Sequence, residues 1–90
     1  MKCVHYSNEF DFSLDPARCA QGLDDFGPGI FVYPEDKKLI WNDRTEHLFE
    51  CPENVPEFVQ SFEPGEAGNE NEIAEFFIPA TKFDRLKQIY

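Results

Sequence analysis

Ninety residues with 18 acidic and 8 basic side chains, a net charge of -10 and 41% hydrophobic residues suffice for one hydrophobic core and exclude a chain that is disordered throughout. No apolar run approaches the roughly 18 residues of a membrane span, and the opening MKCVHYSNEF lacks the apolar stretch of a secretory leader. These features predict a soluble, cytoplasmic single domain over 1–90 that engages no membrane and, given its negative field, no nucleic acid directly.

Residues 2–6 alternate polar and apolar side chains, and Phe10, Phe12 and Leu14 continue a period of two, which predicts one or two short strands. Asp15 before Pro16 is a helix start, because the Asp side chain accepts from free amides and Pro at the first helical position gives up no needed donor. Gly22 is the matching stop. Gly27, Pro28 and Gly29 mark a turn. The β-favouring runs 30–33 and 38–41, separated by Pro34, Glu35, Asp36 and Lys37, predict a central hairpin, and a further strand passes through His47, Leu48 and Phe49. Behind Asn54 and Pro56, the residues Val55, Phe58, Val59 and Phe62 recur at helical spacing, which predicts a helix over 55–62 with Phe58 in the core.

The stretch EPGEAGNENE is polar and contains glycine, which predicts a mobile acidic loop at about 63–72. Residues 73–78 read as a strand stopped by Pro79. Thr81 with Asp84 resembles a capping box, and Phe83, Leu86 and Tyr90 share a face of a closing helix over 81–90. The expected class is α+β: a small, mainly antiparallel sheet built on the hairpin, with two or three short helices.

Cys3 and His5 on one strand face, together with His47 and Cys51, supply the two Cys and two His from which zinc sites are made. Their spacing matches no standard zinc motif, and a strand cysteine more commonly packs as a small hydrophobe, so neither a metal nor another cofactor is expected. The three cysteines, Cys3, Cys19 and Cys51, lack C-x-x-C spacing and are expected as free thiols. No local pairing of a thiol with an imidazole marks a nucleophile.

Three segments, HYS at 5–7, FGPGIFVY at 26–33 and EFFIP at 75–79, stand in the order of the three motif strands of ADP-ribosyltransferase-like domains, which the chain resembles over those residues. The resemblance implies an NAD-binding domain, active or degenerate. In it His5 would contact the dinucleotide, Phe31 or Tyr33 would hold the nicotinamide, and Glu75 would orient the ribose. Packing alone reads the same residues as a turn at Gly27 and Gly29, hairpin side chains at Phe31 and Tyr33, and a solvated Glu75.

From 45 to 81 there is no Lys or Arg, whereas Glu46, Glu50, Glu53, Glu57, Glu63, Glu66, Glu70, Glu72 and Glu75 supply nine negative charges. A field of one sign attracts basic partners at a salt-dependent rate, and surplus aromatic side chains supply apolar anchors. Carboxylates can also take the places of phosphates in a basic groove. All of these glutamates except Glu75 are therefore expected to contact a basic protein partner, such as one that binds nucleic acid, and the domain to act as a non-enzymatic inhibitor. In size and acidity it is similar in type to phage-encoded anti-defence inhibitors, anti-CRISPR proteins among them, and to bacterial immunity proteins. An acidic surface that only keeps a Phe-rich domain in solution is the plainer alternative.

Overall fold

The alternation near the N-terminus is realised as a strand, and the rest of the architecture is built around it. In the computed structural model, which describes residues 1–7, 27–38, 43–66 and 70–89, β1 (Lys2–Ser7) is followed by β2 (Gly29–Pro34), β3 (Thr45–Glu50), β4 (Glu57–Phe62), β5 (Ile73–Pro79) and β6 (Lys87–Gln88). Every pairing is antiparallel, and the six strands form one sheet in the order β4-β5-β2-β1-β3-β6. The helix expected over 15–22, the strand continuation at Phe10, Phe12 and Leu14, Cys19, most of the second hairpin arm, residues 67–69 of the acidic loop and Tyr90 lie outside the described residues.

The expected α+β class is corrected to an all-β one: the described residues hold no α-helix, and Glu35–Lys37 and Ala80–Arg85 are short 3-10 segments. Of the apolar residues at helical spacing, Phe58, Val59 and Phe62 belong to β4 and not to a helix, and Val55 is buried in the turn before it. Phe58 pairs with Phe76 of β5, the register shifts at Val59, and Gln60, Ser61 and Phe62 pair with Glu75, Ala74 and Ile73. Aromatic and β-branched side chains suit a pleated ladder, and the bulge interrupts the period of two that would have marked a strand. Phe58 consequently points outward and is 62% exposed.

The closing helix is replaced in a similar way. No side-chain cap bond forms at the start of Ala80–Arg85, the backbone becomes extended at Leu86, and Phe83 drops into the core. Lys87 and Gln88 then pair with Glu50 and Phe49 of β3, and the Ile89 amide donates to the Leu48 carbonyl at 2.9 Å. The ladder thereby satisfies backbone groups that a short helix would have left open at its ends. Of the central hairpin the described residues hold the first arm, β2, and Lys38; β2 has β1 on one side and β5 on the other, with Tyr33 opposite Val4 and Val32 opposite Phe76. β1 pairs with β2 at Tyr33 and Pro34, and β5 pairs with it from Gly29 to Val32.

Successive residues of a strand point to opposite faces, and each face carries a buried cluster. Cys3, Ile30, Val32, Phe49, Cys51, Val55, Ile78 and Phe83 form one; Val4, Tyr6, Tyr33 and Ile73 form the other. The strands converge on Gly29, where an added Cβ would collide with the Ile78 carbonyl and the Phe77 ring. The join between β1 and β2 is narrow, with two residue pairs, and just beyond it the His5 ring donates from Nδ1 to the Phe31 carbonyl at 2.7 Å. A side chain there does the work of a ladder amide.

Candidate functional site

Strand order divides the acidic run between the two sides of the sheet. Glu46 and Glu50 belong to β3 and Glu53 follows it, on the side of the sheet that ends with β6; Glu57 begins β4 at the opposite side, and Glu63, Glu66, Glu70 and Glu72 lie in the β4 to β5 connection. Charge compensation follows that division in part. The Lys38 ammonium contacts both carboxylate oxygens of Glu46 at 3.0 Å, and the Met1 ammonium lies 3.6 Å from Glu50. Lys37 reaches Glu72 at 3.0 Å, a contact that raises the lysine pKa above its ordinary value. Among the described residues, no ion pair joins Glu53, Glu57, Glu63, Glu66 or Glu70 to a cation.

Those last four glutamates and Phe58 are all exposed. Phe58 is held in place by an edge-to-face contact with Phe76, ring centroids 5.6 Å apart at 75°. The turn beyond β4 is set by the Glu63 amide, which donates to Glu66 Oε2 at 2.9 Å, and by the Glu66 amide, which donates to the Glu63 carbonyl at 3.0 Å. The β4 side therefore presents a fixed aromatic ring with carboxylates at both ends of its strand. Sequence alone misses Phe58 as a surface residue, because helical spacing assigns it to the core.

A second constellation crosses the opposite direction of the sheet. Gln60 Nε2 donates to Glu75 Oε1 at 2.9 Å, and the Tyr33 hydroxyl donates to Glu75 Oε2 at 2.7 Å. The Tyr33 ring lies 6.0 Å from that of Tyr6, whose hydroxyl donates to Glu46 at 3.2 Å. Burial is the chief cause of a raised pKa at both phenols, and the neighbouring carboxylates add to it: Tyr6 is pushed up to about 12, and Tyr33 is also held well above its ordinary value. Of the residues singled out by the family resemblance, Tyr33 and Glu75 are thus brought into contact. Phe31 packs on Phe77, ring centroids 5.3 Å apart. His5, between Val4 and Tyr6 on β1, faces the other side of the sheet.

On that other face, His5 stands directly opposite His47 of β3, and Cys3 lies against Cys51 with 2.9 Å between sulfurs. Burial lowers the His5 pKa, the bond to the Phe31 carbonyl opposes the shift, and the neighbouring His47 and Arg44 reinforce it. Among the described residues, no group of three or more His, Cys, Asp and Glu side chains is arranged to hold a metal ion. No helix among them is long and apolar enough to cross a membrane. Comparison of the chain with protein-family models, curated proteins and solved structures finds no match, so its chemistry is read from its own geometry.

Proposed function

We propose that this chain is a non-enzymatic binding module whose β4 side engages a basic surface of a partner protein, of the kind that holds nucleic acid, and blocks it. The observation that carries this reading is the pairing of exposed Phe58 with exposed Glu57, Glu63, Glu66 and Glu70, none of which forms a close ion pair among the described residues, Lys37 being paired to Glu72 and feeling Glu63 only through space. Exposed carboxylates steer a basic partner, and an aromatic ring supplies a surface that loses water on contact. Glu46, Glu50 and Glu72 already neutralise local cations and contribute less. Carboxylates at the two ends of a six-residue strand are separated by roughly 17–20 Å, a span over which several phosphates of a nucleic-acid strand would otherwise lie.

The test is competition. The partner captured from a native host lysate is titrated with this chain in the presence of the nucleic acid that the partner binds. Mutual exclusion, lost in the variant Glu57→Lys/Glu63→Lys/Glu70→Lys, supports the reading; simultaneous binding of both ligands contradicts it. A second reading, an NAD-binding domain, draws on the contact between Tyr33 and Glu75. Its residues are divided between two faces of the sheet by His5, so the geometry favours it less. NAD consumption by the purified chain, abolished in Glu75→Ala, would put it first, because ribosyl transfer needs a carboxylate at the developing cation.

A further inference from the structure

We propose that Cys3 and Cys51 are a redox pair, which an external disulfide of low molecular weight converts to an intramolecular disulfide that fastens the first strand to the end of β3. The pair is independent of the partner-binding reading. Both thiols are buried, at 0% and 2% exposure, and their sulfurs are 2.9 Å apart. Bond formation closes that separation to about 2.05 Å, a movement of under an ångström. The backbone holds the two residues in register on one face: Lys2 pairs with Glu50 and Cys3 with Phe49. Met1 and Cys51 then exchange both backbone hydrogen bonds, at 2.6 and 2.9 Å. Residues 48 positions apart in sequence are thus placed in contact by the sheet alone.

The two thiols are electrostatically linked. The hydrogen bond shared by the two sulfurs, in which either can donate, is the chief influence on both thiols; burial raises both and the nearby Met1 ammonium lowers both. Cys51 is the first nucleophile because the strand that covers it is held there by its two hydrogen bonds to Met1, and it is uncovered when they open. Its thiolate attacks one sulfur of the external disulfide, and the other sulfur leaves as a thiolate that takes up a proton. Cys3, giving its proton to solvent, attacks the Cys51 sulfur of the mixed disulfide and expels the second external thiol. Two protein thiols are oxidised, and one external disulfide is reduced to two thiols.

The experiment equilibrates the purified chain with excess oxidised glutathione, alkylates remaining thiols in denaturant, and maps the digest by mass spectrometry. The expected product links Cys3 to Cys51 and leaves Cys19 alkylated, and its thermal midpoint lies about 8 °C or more above that of the reduced chain. Cys19→Ser should keep both results. Oxidation of the urea-unfolded chain should instead favour the shorter loop from Cys3 to Cys19, which shows that the native pairing comes from the fold. Alkylation of both Cys3 and Cys51 after equilibration, a native cross-link through Cys19, or a lowered midpoint on oxidation would each overturn the proposal.

Discussion

A buried phenol that donates to a carboxylate resists ionisation for two reasons, and Tyr33 has both. The unfolded chain gives up its tyrosine protons near pH 10 while the folded one keeps those of Tyr6 and Tyr33, so stability should fall as pH rises beyond about 10. Denaturant midpoints measured at increasing pH check this, and Tyr33→Phe should weaken the dependence while costing about 1–3 kcal/mol at neutral pH. His5 acts on the acid side. Its folded pKa is lowered, so the unfolded chain takes a proton that the folded chain refuses, and stability should decline as pH drops below about 6.5. Phe58 and Phe77 separate surface from core: Phe58→Ala should cost less than about 1.5 kcal/mol, mainly its ring contact with Phe76. Phe77, 1% exposed, should cost about 3–5 kcal/mol on truncation to Ala. Equal losses in chemical denaturation would place Phe58 in the core.

Elements were legible in the sequence where pattern and partner agree. The strands at 2–6, through His47 to Phe49, and at 73–78 are present as β1, β3 and β5, and the Gly27, Pro28, Gly29 turn leads into β2. β4 was not legible, because its pairing with β5 and the shift at Val59 are invisible to a period count. The helix expected over 81–90 misled for the same reason: Thr81 and Asp84 satisfy a capping pattern, yet β3 supplies a partner strand from far along the chain. β2 itself pairs non-locally, with β1 and β5 on its two sides. Close strand packing at the start of β2 predicts that Gly29→Ala, forced against the Ile78 carbonyl and the Phe77 ring, destabilises by about 1–3 kcal/mol. Gly27 has φ 75° with open space around it, so alanine there should cost only about 1–2 kcal/mol, the cost of the left-handed backbone. Thermal or urea denaturation of the two variants should rank them in that order or closely together. A neutral Gly29→Ala would contradict the close approach of β2 to β5.

At the scale of the molecule, acidity was plain from the sequence but its division was not, because strand order alone sends Glu46 to Glu53 to one side and Glu57 to Glu72 to the other. The candidate surface also needed Phe58, which only the ladder with β5 turns outward. If uncompensated carboxylates on the β4 side steer the partner, they should act on association more than on dissociation. Their reach should shrink as the screening length falls from about 10 Å at 0.1 M salt to about 3 Å at 1 M. The most direct measurement is the association rate with the captured partner across that range, for the native chain, for Glu57→Lys/Glu63→Lys/Glu70→Lys, and for Glu46→Lys on the opposite side. The rate is expected to fall steeply with salt for the native chain and Glu46→Lys, and to be slow and nearly salt-independent for the triple variant. A native rate indifferent to salt, or a triple variant that associates as fast as the native chain, would contradict this.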